Sequence, residues 1–166
     1  MVKSESYKTT NILFICLGNI CRSPAAEAVM RHLIDLQGLS HCFSVASAAI
    51  GPWHVGELPD SRMRRHAARR GYQLNSRGQQ FNASYFNRFD YIIVMDEENY
   101  RAVTSMARND EERGKVLRMR DYFNTYKGRH SVPDPYYGSD RDFDIALDLI
   151  EDGCQQLLQS FIRHRN

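Results

Sequence analysis

The feature that most limits what this chain can fold into is a join within residues 12–24, where an unbroken apolar run meets a glycine turn and then a helix-forming stretch. Ile12, Leu13, Phe14, Ile15 and Cys16 contain no polar break, as expected of a strand covered on both faces. Gly18-Asn19 ends the run, Pro24 suits the first position of a helix, and Ala25 to Gln37 is rich in helix formers with Gly38 as the stop. Repeated along the chain, such strands alternating with helices imply a parallel sheet with right-handed crossovers and helices on both faces.

The rest of the sequence supplies those neighbours. Phe43 to Ala48 predicts a second strand, and Asp90 to Met95, with Tyr-Ile-Ile-Val at its centre, a third. Asp60 can cap an Arg-rich helix that Gly71 ends, and the chain turns helical again from Asp96. A short strand is expected over Val116 to Met119, a helical stretch near Asp121 to Tyr126 and a loop from Lys127 to Arg141. Phe143, Leu147, Ile150, Cys154, Leu157 and Phe161 then recur at steps of four and three, one apolar helical stripe. The expectation is an α/β single domain with a central, twisted, parallel four-stranded sheet, helices on both faces and a phosphate-binding loop after the first strand. Residues 1–9 carry no apolar period and read as a flexible tail, leaving 10–166 as the domain.

Composition narrows the function classes. A net charge of +2 over 166 residues, with no long block of one sign, argues against a nucleic-acid binder. The basic stretch Arg62 to Arg70 puts Arg62, Arg65 and Arg69 on one helical face, read as a solvated face. Four cysteines with no Cys-x-x-Cys pair do not form a secreted disulfide framework or a zinc motif. The apolar run after Lys3 and Lys8 is too short for a signal peptide, and nothing reaches the length of a membrane span, so a cytoplasmic protein without membrane insertion is expected. The six histidines form no ligand pattern, and no metal or cofactor is expected.

The chemistry lies in Cys16-Leu17-Gly18-Asn19-Ile20-Cys21-Arg22-Ser23-Pro24, a cysteine and an arginine with five residues between them bracketing a strand-to-helix loop. Such a loop presents unpaired backbone N–H groups at the positive end of a helix dipole, an anion cradle. The donors that hold a phosphate also stabilise a thiolate, which makes Cys16 a nucleophile. Arg22 can grip two phosphoryl oxygens with its planar fork, and Ser23 can donate a hydrogen bond to the sulfur. No Gly-x4-Gly-Lys-Ser/Thr segment and no Gly-x-Gly-x-x-Gly fingerprint competes with this loop.

Letter for letter, this loop resembles that of the low-molecular-weight protein tyrosine phosphatases. Trp53-His54-Val55-Gly56, followed by Pro59-Asp60, is similar to the family's second active-site loop, Met95-Asp96-Glu97 to the turn after its third strand, and Asp134-Pro135-Tyr136-Tyr137-Gly138 to its general-acid loop. The resemblance implies a protein tyrosine phosphatase in which Cys16, Arg22 and Asp134 are catalytic. It further implies that Leu17, Gly18, Asn19, Ile20, Cys21 and Ser23 bind the phosphate, that Trp53 and Tyr136 wall the cleft, and that Ser47 supports the loop with Asn19 and Ser23. Independently of the resemblance, expelling a phenolate calls for an acid opposite the nucleophile, and Asp134 is fixed between Pro133 and Pro135.

As in the family, Cys21 could shield Cys16 through a reversible disulfide. Tyr137 is open to two readings, packing behind the acid loop or serving as a phosphorylation target. The chain departs from many members in Ser47-Ala48 and in Ser76-Arg77-Gly78-Gln79-Gln80, so the hydrogen bonds that support the loop are expected to be rearranged there. The implied partner is a phosphotyrosine-bearing protein, acted on by a monomer with weak self-association left open. Two alternatives share the cradle. A thiol-linked arsenate reductase would need resolving cysteines, for which only Cys42 and Cys154 remain, and a phosphopeptide-binding module would be expected to lack Cys16 or Asp134.

Overall fold

The computed structural model describes residues 8–165, so most of the predicted 1–9 tail lies outside the described residues. Four strands, β1 (Thr10–Cys16), β2 (Phe43–Ala49), β3 (Tyr91–Val94) and β4 (Val116–Arg118), form one sheet in the order β2-β1-β3-β4, every pair parallel. The helices are α1 (Arg22–Leu36), α2 (Ser61–Arg69), α3 (Glu97–Met106), α4 (Asp110–Gly114) and α5 (Asp140–Arg165), with 3-10 turns at Ala83–Asn87 and Met119–Tyr122. No helix among the described residues is long and apolar enough to cross a membrane.

The alternation along β1 shows why its sequence is apolar throughout. Ile12, Phe14 and Cys16 join a core with α1, α2 and α5, while Leu13 and Ile15 join a second core with the Ala83–Asn87 turn and α3. The stripe of α5 is buried at every predicted position from Phe143 to Phe161. The chain leaves β1 toward β2 on one side and returns to β3 on the other, so the carboxyl ends of β1 and β3 flank the crevice where such sheets take ligands.

Three expectations change. Pro24 is the third residue of α1 rather than the first, since Cys21 is already the N-cap; a missing N–H is still harmless in a first turn. The helix expected near Asp121 to Tyr126 is the shorter Met119–Tyr122 turn, because buried Asp152 on α5 accepts from the backbone N–H groups of Asn124, Thr125 and Tyr126 at 3.0, 3.1 and 3.1 Å and holds them out of helical register. The basic helix α2 is not simply solvated: Arg64, Arg65 and Arg69 are exposed, but Arg62, His66 and Arg70 turn to acceptors on α5 and the segment before it.

Candidate active site

Cys16 is the last residue of the central strand, 3% exposed, with its Sγ 3.0 Å from Ser23 Oγ. Asn19 Nδ2 donates to that same hydroxyl at 2.8 Å, which leaves the Ser23 hydrogen for the sulfur or for the Ala48 carbonyl at 3.5 Å. The shorter contact favours the sulfur. The N-terminus of α1 has no side-chain cap and no acid in its first turn, so its N–H groups and dipole stay free for an incoming anion.

The loop keeps its shape through Asn19, whose φ of 57° lies in the left-handed region that Asn tolerates. Its side chain also donates to Ser47 Oγ at 2.9 Å and accepts from the Gln79 N–H at 3.1 Å. Ser47 passes its own hydrogen to Glu27 Oε1 at 3.0 Å, and Glu27 pairs with Arg31 at 3.0 Å. Burial pushes the Glu27 carboxyl above its ordinary value against the opposing pull of Arg31 and of the Ser47 and Ser76 hydroxyls. Gln79 donates to the Ser47 carbonyl at 2.9 Å and accepts from the Tyr85 hydroxyl at 3.0 Å. Asn19, Ser23 and Ser47 thus meet behind the cleft rather than lining it. The departure segment supplies Gln79 to this brace.

Arg22, 2% exposed, donates through Nη1 to Asp96 Oδ2 at 2.7 Å and to the Val132 carbonyl at 3.0 Å, and its Nη2 lies 3.6 Å from Asp134 Oδ2. Burial opposes its charge, but the nearby Cys16 and the hydrogen-bonded Asp96 outweigh it and raise its pKa further. Asp96 works with both oxygens, since Oδ1 caps α3 by accepting from the Asn99 N–H at 2.8 Å. The sequence marks the turn at Asp96 but not this contact. The signal was an acid at the carboxyl end of the strand beside β1.

These groups meet in a cleft of about 330 Å³. Its floor holds Cys16, Leu17, Gly18, Ile20, Cys21 and Arg22, and its sides hold Trp53, His54, Asp134, Tyr136 and Tyr137. Trp53 is 63% exposed, and its indole rests against Gly51. Gly51 in turn donates its N–H to the Leu17 carbonyl at 3.0 Å. Asp134 is on the rim, its Oδ1 accepting from the Tyr136 N–H at 3.1 Å. Tyr137 is 96% exposed, which rules out packing behind the acid loop.

A second tie, unseen in the sequence, joins the two sides of the cleft. Asp60 donates its N–H to the Ile20 carbonyl at 2.8 Å and holds Arg62 through both carboxylate oxygens, at 3.2 and 3.0 Å. Arg62 donates to the Tyr136 carbonyl at 2.9 Å. Cys21 lines the cleft as a free thiol, raised well above its ordinary pKa by burial and then by Asp60. Cys42 and Cys154 are buried and do not line the cleft. Among the described residues no group of three His, Cys, Asp or Glu side chains is placed to hold a metal.

A profile of the family described as low molecular weight phosphotyrosine protein phosphatase matches residues 11–166. The low molecular weight protein-tyrosine-phosphatase of Streptomyces coelicolor is 38% identical over 151 residues, 90% of this chain and 92% of the relative. The human low molecular weight phosphotyrosine protein phosphatase is 34% identical over 151 residues, 91% of this chain and 95% of the relative. In three dimensions the chain is similar to the protein tyrosine phosphatase of Entamoeba histolytica, crystallised with Hepes in its active site. That structure has a TM-score of 0.91 and 39% identity, and the match covers 95% of this chain and 100% of that one.

Proposed function

Because the chain belongs to the low molecular weight phosphotyrosine protein phosphatase family, we propose that it hydrolyses phosphotyrosine in protein substrates through a phosphocysteine on Cys16. The observation that carries this reading is the buried Arg22, which lies between Asp96 and Asp134 at the same cleft floor as Cys16. A phosphate seated on the loop amides would meet the Arg22 fork on its equatorial oxygens, with the sulfur behind phosphorus. The phenyl ring would lie between Trp53 and Tyr136.

In the first step the Cys16 thiolate attacks phosphorus, the S–P bond forms and the P–O bond to the phenol breaks. Asp134 gives its proton to the departing oxygen. In the second step a water attacks the phosphocysteine and passes its proton to Asp134. The S–P bond breaks and inorganic phosphate leaves. The Ser23 hydroxyl, 3.0 Å from the sulfur, supports the thiolate as it departs. The two arsenate-relay candidates, Cys42 and Cys154, are buried away from the cleft, which favours the hydrolytic reading. Four unpaired cysteines fit a reducing compartment, and the cytoplasm is the proposed location.

The test is phosphate release from an aryl phosphate by the wild type, Cys16→Ser and Asp134→Ala, with arsenate reduction followed in parallel. Turnover by the wild type, none by Cys16→Ser and a loss of roughly 100-fold or more for Asp134→Ala are expected. Arsenate reduction without ester hydrolysis would refute the proposal.

A further inference from the structure

The face that α2 and its C-cap turn to α5 carries Arg62, His66 and Arg70 at four-residue intervals, and α5 answers with Asp140, Asp144, Asp148 and Glu151. Arg70 donates through Nη1 to Asp148 at 2.8 Å and to Glu151, and through Nη2 to the Asp144 carbonyl at 3.2 Å. The middle member differs from its neighbours in burial. His66 is 2% exposed, with Nε2 3.1 Å from Asp140 Oδ1 and Nδ1 3.0 Å from Asp144 Oδ1. The ring thus sits between two carboxylates, one facing each of its nitrogens. The ring stacks on Phe143 at 5.7 Å and 15°, between the two acids in sequence. The other charges around it are Arg65, 3.6 Å from Asp140, and Arg70, 3.4 Å from Asp144.

Asp140 is the first residue of α5, and only 135–139 separate it from Asp134. That connection has little slack. The Gly138 N–H donates to the Pro135 carbonyl at 2.8 Å, and the Ser139 N–H donates to Asp142 Oδ2 at 2.7 Å. Upstream, the Val132 N–H donates to the Met95 carbonyl at 2.9 Å. Asp134 is therefore held upstream at Val132, by the end of β3 and by Arg22, and downstream by Arg62 at the Tyr136 carbonyl and by the first turn of α5, whose position His66 fixes.

We propose that His66 is a positioning residue for the general acid, holding the first turn of α5 through Asp140 and Asp144 so that Asp134 meets the leaving oxygen. The inference rests on the reading of Asp134 as that acid. A loosened first turn would misplace Asp134 but leave Cys16, Arg22 and the loop amides where they are. The loss should then depend on how much the leaving group needs a proton, which a general loss of folded protein would not do.

The experiment compares kcat/KM, which covers the steps up to the phosphocysteine, on phenyl phosphate and 2,4-dinitrophenyl phosphate. The proteins are the wild type, Asp134→Ala, His66→Gln and the double variant Asp140→Asn/Asp144→Asn. A loss of roughly 10-fold on phenyl phosphate, against less than about 2-fold on the dinitrophenyl ester, is expected for His66→Gln and for the double variant. If His66→Gln does not fold, the double variant carries the test, since Asp140 and Asp144 have side chains 74% and 49% exposed. Equal losses on the two esters, or no loss while Asp134→Ala remains selective, would overturn the proposal and leave the phosphatase reading intact. A wild type that turns over neither ester would remove both.

Discussion

Gly51 offers a way to move one wall of the cleft without touching its floor. A Cβ at this position would stand 1.9 Å from Cζ3, 2.3 Å from Cε3 and 2.4 Å from Cη2 of Trp53. Carbon atoms in contact sit about 3.5 to 4.0 Å apart, so in Gly51→Ala the indole must retreat by about 2 Å. The backbone has no need to follow, because Gly51 lies outside the left-handed region where a side chain is strained. The indole is already 63% exposed and can swing into water. What is lost is a stacking surface for the substrate ring, of order 0.5 to 1.5 kcal/mol, or roughly 2- to 10-fold in binding. The prediction is that Gly51→Ala raises KM for an aryl phosphate by about that factor, while the inhibition constant of inorganic phosphate, which touches only the loop, changes less than about 1.5-fold. An unchanged KM would refute the wall reading of Trp53. A parallel rise in both constants would refute the independence of wall and floor.

Two further changes probe the charges. Asp96→Asn keeps the cap on α3 but leaves the Arg22 guanidinium without its closest counter-charge. Because the Asp96 side chain is 26% exposed, a loss of about 1 to 3 kcal/mol in urea melts is expected, below the range for a wholly buried pair, with a fall in kcat/KM; a variant as stable as the wild type would contradict the assignment. Glu112, bonded to Arg108, is held down to about 2 from its ordinary 4.5. A depressed carboxyl contributes stability that is present above its ordinary value and lost as pH falls toward the depressed one. Glu112→Gln should therefore weaken the protein at neutral pH and flatten its stability profile between about pH 5 and pH 2, and an acid limb as steep as that of the wild type would count against the ion pair.

The parts of this site that a reader of the sequence could find are those whose geometry is local. Cys16, the loop amides, Arg22 and Ser23 belong to one strand-to-helix turn, and the apolar run, Gly18 and Asn19 announce it. The contacts that hold the turn in place are long-range and polar, and no periodicity records them. Arg22 and Asp96 are 74 positions apart, Asn19 and Gln79 are 60 apart, and His66 and Asp144 are 78 apart. The Arg-rich helix looked solvated because charge on one helix says nothing of its partner. Its answer, acids at Asp140, Asp144 and Asp148, was legible only as a second stripe on α5 beside the apolar one. Pro24 fell two residues from its expected place because a proline tolerates any position in a first turn.

The central position of β1 gives the two halves of the site different lifetimes. Its amides and carbonyls are paired with β2 on one side and β3 on the other, and Ile12, Leu13, Phe14 and Ile15 are wholly buried. Hydrogen exchange there requires the whole domain to open, whereas the exposed segments bearing Trp53, Asp134 and Tyr136 can open by themselves. In such partly opened states the cradle on β1 and α1 is still assembled while the acid and the walls are absent. On the proposed mechanism such a state would bind an oxyanion without hydrolysing an ester, so protection of the β1 amides should persist under mild denaturant after turnover has stopped.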